Sequence, residues 1–255
     1  MTWEKYLGVP LLHGRVTKST FRPVVEKLKK RLVGWQKKIL SFAGRATLVK
    51  SVLAATPLYI MQTAMLPCSV LDEIERCARD FLWGTSIEYR KIHHVKWSTV
   101  TRDKEEGGLG IRKMRETNRA ILAKLNWRAL QHKESLWVRV LRNKYKEPGR
   151  NGRKSFVWRS MEEGQKVLSK EVRWKVGNGV DVRFWKDIWL VEKPLVEMSE
   201  REIPPGEMHK RVRDYWVLGE GWSMDELELF LPIRMLSRLR DVHLEEEGTN
   251  RDLPV

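Results

Sequence analysis

Between Trp35 and Leu66 the chain reads WQKKILSFAGRATLVKSVLAATPLYIMQTAML, and this stretch sets the terms for everything around it. It opens on Lys37, Lys38 and Arg45 and then enters the longest uncharged run of the protein, Ser51 to Leu71. A basic entry feeding a long apolar helix docks its apolar side on a body and turns its charge outward, as a clamp over a polyanion would. A run of that length also raises the question of a membrane span. Pro57, Gln62, Pro67 and several hydroxyl residues interrupt it, so a buried helix is expected and no membrane partner.

The segment before it carries a helical stripe. Thr20 is placed to cap a helix with Pro23 in its first turn. Phe21, Val24, Val25, Leu28, Leu32, Trp35 and Ile39 then recur at helical spacing. Lys27, Arg31 and Lys38 line one flank of that stripe, and Lys30 and Lys37 lie opposite. Such lysines serve either as a solvated outer face or as phosphate contacts, and both readings stand here. Ser41 caps the next helix, with Leu48, Val52 and Ala55 inward, then Tyr59 and Met61 beyond Pro57, which kinks or ends it. Arg45 and Lys50 sit near its start; Arg45 meets either a phosphate or an acid of the fold. Ser69 with Asp72 resembles a capping box for a third helix, with Leu71, Ile74, Ala78 and Phe81 inward and Gly84 closing it.

Further along, Gly107-Gly108-Leu109-Gly110 lacks the Lys-Ser/Thr of a phosphate-cradling loop and reads as a turn. A helix over 113–132 presents Met114, Asn118, Ile121, Leu125 and Ala129 on one side. Asn118, among apolar neighbours, is expected to make a buried hydrogen bond that fixes loop geometry. Lys113, Arg115, Arg119, Lys124 and Arg128 form a second basic surface. A short helix from Ser135 to about Tyr145 and a Pro/Gly-containing loop over 146–154 follow, then a helix capped by Ser155. The segments 172–176 and 180–184 flank Gly177-Asn178-Gly179, a hairpin signal. Trp174, Trp185 and Trp189 either stack on bases or pack on the preceding helix. Beyond Leu190 the pattern weakens to prolines, an amphipathic stretch over 224–231 and a frayed end.

Charge shows the same division. Through Leu190 there are 40 Lys and Arg against 18 Asp and Glu, a balance of +22; the remainder has 9 against 15, a balance of −6. A strongly basic body attracts phosphate backbones whatever their sequence, with anionic membrane surface the competing partner. Cys68 and Cys77 are too few for a secreted disulfide framework, and an intracellular compartment is the default. Neither they nor the adjacent His93 and His94 have a zinc spacing. No clustered carboxylates, Walker loop or nucleophile elbow is visible. No catalysis by this chain, no metal and no cofactor are expected.

Eight ordered blocks carry a family resemblance: YLGVPL (Tyr6–Leu11), GWQKKILSFAGRATLVKSVLAATPLYIMQ (Gly34–Gln62), FLWG (Phe81–Gly84), GGLGIR (Gly107–Arg112), Asn118-x-Ala120 with Lys124, LW (Leu136–Trp137), KY (Lys144–Tyr145) and VGNGVDVRFWKDIWL (Val176–Leu190). Over about residues 5–190 the chain resembles plant non-LTR (LINE-type) retrotransposon reverse transcriptases, in the region downstream of the catalytic palm. The resemblance implies a palm remnant at 1–20, a thumb at 21–85 and a connector at 86–190; together with the periodicity, the hairpin signal and the weakened pattern past Leu190, the expected fold is mainly α, a helical thumb-like bundle plus a helical connector with a small β-hairpin near 172–185, followed by a linker and partly ordered tail at 191–255. Tyr6, Leu7 and Gly8 would match the primer-grip turn. The family's catalytic aspartates lie upstream of this stretch, and its zinc-binding segment and ribonuclease H domain lie downstream. The expected role is therefore phosphate-mediated binding of an RNA–DNA or DNA duplex through Lys27, Lys30, Arg31, Lys37, Lys38, Arg45 and Lys50, alongside a palm-bearing reverse transcriptase. The competing reading is a pseudogene-like remnant with no specific ligand.

Overall fold

The computed structural model describes residues 5–6, 9–10, 16–36, 40–85, 91–145, 154–244 and 251–255. Helices dominate, as the periodicity predicts; the ladders among the described residues are three two-stranded antiparallel sheets. The chain divides into two compact units, Met1–Val167 and Leu168–Val255.

The first unit begins with β1 (Lys5–Tyr6) paired to β2 (Val9–Pro10), Tyr6 opposite Val9. A 3-10 turn over Lys18–Phe21 leads into α1 (Arg22–Gln36). Thr20 is buried inside that turn and accepts the Thr17 N–H at 3.2 Å. The helix entry therefore starts earlier than a Thr20 cap would place it. Phe21, Val24, Val25, Leu28 and Leu32 are buried as the stripe predicts, while Ile39 lies outside the described residues. Each such side chain removed from water contributes about 1.5–3 kcal/mol.

Ser41 caps α2 (Phe42–Leu48), accepting the Gly44 N–H at 3.2 Å. The chain then makes a π-turn, Val49–Leu53, closed by the Ala54 N–H on the Val49 carbonyl at 3.0 Å. A π-turn holds one residue more than an α-turn and shifts the inward phase. Val49 and Leu53 are buried, whereas Val52 is half-buried and Ala55 exposed, so the inward set predicted at regular spacing is corrected here. Pro57 ends the run. α3 (Leu58–Met61) follows, burying Ile60 and Met61 and leaving Tyr59 half exposed.

α4 (Cys68–Trp83) starts straight after Pro67, so Ser69 lies within the first turn and the predicted Ser69 cap is not the one used. Val70, Leu71, Ile74, Ala78, Phe81 and Leu82 are buried, α1 packs along it, and Gly84 closes it at φ 70°. Next come α5 (Trp97–Val100) and a glycine turn with Gly107 at φ 79° and Gly110 at φ 64°. α6 (Met114–Gln131), α7 (Leu136–Tyr145) and α8 (Phe156–Glu171) complete the helices near this unit. One core runs from Phe21 to Met114, so the helices of 21–85 and the start of the predicted connector share it.

The second unit corrects the predicted hairpin. β3 (Trp174–Lys175) pairs with the chain's last strand (Leu253–Pro254), Trp174 opposite Pro254, and not with residues 180–184. The Gly177-Asn178-Gly179 loop instead wraps the carboxylate of Asp252, which is 3% exposed. Its Oδ1 accepts the Gly177 and Gly179 N–H groups at 2.8 and 2.9 Å, and its Oδ2 accepts that of Asp181 at 2.7 Å. Residues past Leu190 are core rather than linker: Leu195, Ile203, Val212, Tyr215, Leu227 and Leu239 are buried with Val182, Phe184 and Trp185. A small ladder of β4 (Trp216–Val217) and β5 (Gly221–Trp222), then α9 (Met224–Leu227) and α10 (Ile233–Arg240), finish it before the closing strand, β6 (Leu253–Pro254). Trp185 is fully buried and donates Nε1–H to the Tyr215 hydroxyl at 2.8 Å, so this tryptophan packs rather than stacking on a base.

Candidate nucleic-acid interface

The predicted contact residues do not share one fate. On α1, Lys27, Lys30 and Arg31 are exposed, and none of them has an ion-pair partner among the described residues. Lys27 and Arg31 are four apart, on one flank; Arg31 is steadied by an Nη1–H···Oγ1 bond to Thr56 at 2.9 Å. Thr56 in turn donates to the Val52 carbonyl at 2.8 Å, so the π-turn and the residues after it supply the floor against which this arginine is set.

The other side of α1 is neutralised. Lys29 donates to Glu73 Oε1 at 2.8 Å, and Lys18 lies 2.9 Å from its Oε2. Hydrogen bonds from Lys29 and then Lys18 hold the Glu73 carboxyl at about 2, well below its ordinary range, and the Lys29 ammonium is raised in return. Neither Glu73 nor Lys29 was singled out by sequence reasoning, because their partnership joins residues 44 apart.

Arg45 is half-buried, and its guanidinium occupies the space a side chain at Gly84 would need, with the Lys91 ammonium nearby. Arg45 thus stands at the carbonyl end of α4, where the helix dipole favours a cation. Lys50 is half-buried within the π-turn. Lys37, Lys38, Leu7 and Gly8 lie outside the described residues; Tyr6 sits in β1. The second basic surface is part paired: Lys113 reaches Glu116 at 3.1 Å and Arg115 lies 3.8 Å from Asp72, while Arg119, Lys124 and Arg128 are exposed on α6.

What holds these helices in place is polar and buried. Asn118 accepts the Leu66 N–H at 2.8 Å and donates to the Ala64 carbonyl at 3.0 Å. Ser160 of α8 takes the Met65 N–H at 2.8 Å. The loop between α3 and α4 is thus fixed from two sides, as Asn118 was expected to do. Glu75 does a second such task unannounced by any motif: it accepts the Trp97 indole N–H at 3.0 Å and the Met114 N–H at 2.7 Å, capping α6. His93 stacks on Trp83 and stands 3.7 Å from Asp80; burial raises the Cys77 thiol above its ordinary pKa.

Charge separates by unit. Residues 1–167 hold 35 Lys and Arg against 15 Asp and Glu, and residues 168–255 hold 14 against 18, so the first unit is +20 and the second −4. The first unit is thus strongly basic and the second mildly acidic.

No family model matches the chain. It is 40% identical over 253 residues to an Arabidopsis thaliana protein named "putative ribonuclease H protein", covering 96% of this chain. The chain spans 41% of that relative's length. It is also 30% identical over 158 residues to an uncharacterized mitochondrial protein of Arabidopsis thaliana, covering 59% of this chain and 98% of that one. The chain belongs to the plant family of retrotransposon-derived proteins that holds both relatives.

Proposed function

We propose that this chain is the thumb and connector region of a plant non-LTR retrotransposon reverse transcriptase, and that it grips a template–primer duplex through phosphates while leaving chemistry to a palm-bearing partner. The observation that carries the reading is three α1 cations, Lys27 and Arg31 on one flank and Lys30 on the face opposite the apolar stripe, exposed and free of acidic partners among the described residues, in a unit of net charge +20. Lys18 and Lys29, by contrast, are committed to Glu73 and belong to the fold.

The test is duplex affinity as a function of salt. For the full chain, the dissociation constant of a 20-base-pair RNA–DNA hybrid is expected to rise steeply with sodium chloride, by the release of counterions from neutralised phosphates. Lys27→Glu, Lys30→Glu and Arg31→Glu combined should weaken binding on all sequences alike and flatten the log–log salt slope by about one for each phosphate that is no longer neutralised. All three side chains are exposed, so the variant should fold. Unaltered affinity and slope would remove α1 from the contact surface.

A further inference from the structure

We infer that the second unit carries a separate site for an unpaired nucleotide of a single strand, in the cleft beside β3. This goes beyond the duplex grip and uses none of its residues.

The cleft has a volume of about 520 Å³, within the range of about 300–1,000 Å³ typical of small-ligand sites. Trp174, Ile188 and Trp189 line it together with Arg173, Lys175 and Arg238, and Glu192 is the acidic side chain of the lining. All lie in a unit that is acidic as a whole, so three cations bordering one depression run against the local composition. Lys175 and Arg238 are exposed and have no ion pair among the described residues. Arg173 has only a 3.8 Å approach to Glu192, with both side chains largely in solvent, an interaction of small worth.

The aromatic wall is set in advance. Trp189 donates Nε1–H to the Phe184 carbonyl at 2.9 Å and stacks on Trp222, with ring planes 29° apart. The backbone of Trp174 is held by the β3–β6 pairing and by its main-chain N–H on the Ile188 carbonyl at 2.8 Å. A positioned indole beside unpaired cations is the combination that takes the face of a base and the adjoining phosphate. A duplex keeps its base faces inside the stack, which is why the occupant is a single strand. A ligand that offers charge alone would leave the indole wall unused.

The experiment uses the full chain carrying the α1 triple reversal, so that the duplex surface does not contribute. Two fluorescein-labelled probes are compared by anisotropy: a ten-residue deoxyadenylate strand and an abasic strand of equal length. The adenylate strand is expected to bind about tenfold more tightly, since its bases can stack on an indole and the abasic strand has none to offer. Adding Lys175→Glu and Arg238→Glu should weaken adenylate binding a further tenfold or more, with urea unfolding unchanged. Equal affinity for the two probes, or an unaltered affinity after this double reversal, overturns the inference. The double reversal alone, in the otherwise native chain, should leave hybrid-duplex affinity as it was; a comparable loss of duplex binding would make these two cations part of a general phosphate surface and also overturn a separate site. Each proposal can therefore fail without the other.

Discussion

Asn118 Oδ1 accepts the backbone N–H of Leu66 at 2.8 Å, across 52 positions of sequence. The same side chain donates to Ala64, and the fully buried amide thereby stands in for the water that the turn between α3 and α4 would otherwise need. The turn brings the two helices into the shared core, and a side chain from α6 completes its hydrogen bonding.

Removing that amide should be costly. Asn118→Ala is expected to destabilise the first unit by about 2–4 kcal/mol, because the Leu66 N–H and the Ala64 carbonyl stay buried without partners. Urea unfolding followed by far-ultraviolet circular dichroism measures it. A loss under about 0.5 kcal/mol would mean that the loop finds other partners.

Gly164 of α8 lies against the backbone of α6, so that an added Cβ would come within 2.5 Å of the Leu122 carbonyl carbon and 2.8 Å of the Ala123 nitrogen. Gly164→Ala gains up to about 1 kcal/mol of helix propensity. It meets backbone that cannot step aside as a side-chain tip would, at a cost of about 1–3 kcal/mol or more. A net loss of stability is expected by thermal denaturation. A more stable alanine variant would show that the two helices are further apart.

Asp252 carries the second unit's glycine loop. Asp252→Ala leaves three backbone N–H groups without their acceptor and should lower the stability of that unit by about 2–4 kcal/mol; Asp252→Asn, which keeps one oxygen, should lose less. Amide hydrogen exchange at Gly177, Gly179 and Asp181 checks the cause directly, since protection should fall at those three sites first.

Glu73 gives the first unit an acid-sensitive joint. Its folded pKa is about 2, below the unfolded value of about 4.3. A depressed carboxyl pKa stabilises the fold above the unfolded value, and that contribution is lost as pH falls toward the folded one. Allowing for solvent around the two lysines, the effect is about 1 kcal/mol. Stability measured from pH 5 down to pH 2 should decline more steeply in the native chain than in Glu73→Gln. Parallel curves would mean that Lys18 and Lys29 do not hold the carboxylate in solution.

The sequence was readable where the signal was local and periodic. The inward stripe of α1, the Ser41 cap, the Gly84 closure and the buried role of Asn118 each follow from residue type and spacing within one or two turns. It misled where one extra residue broke the period: across Val49–Leu53, a 3.6-residue reading picks Val52 and Ala55 when the core takes Val49 and Leu53. It was silent where the partner is distant. Gly177-Asn178-Gly179 has the composition of a hairpin turn, and only Asp252, 73 positions from Gly179, makes it a carboxylate-binding loop. The basic residues divide the same way, for composition shows that lysines are plentiful and cannot show that Glu73 has already claimed two of them.

The π-turn has one more consequence, for how this chain tolerates change. A helical run holding a surplus residue can give that residue up and relax to ordinary α-geometry, keeping the flanking turns in place. Excising Lys50 or Ser51 should therefore be absorbed with little disturbance to Phe42–Leu48 or Leu58–Met61, while the same excision in the middle of α4 would swing half its inward face toward solvent. Val49–Leu53 is thus the length buffer of the protein, the place where homologous chains differing by a single codon could still superpose.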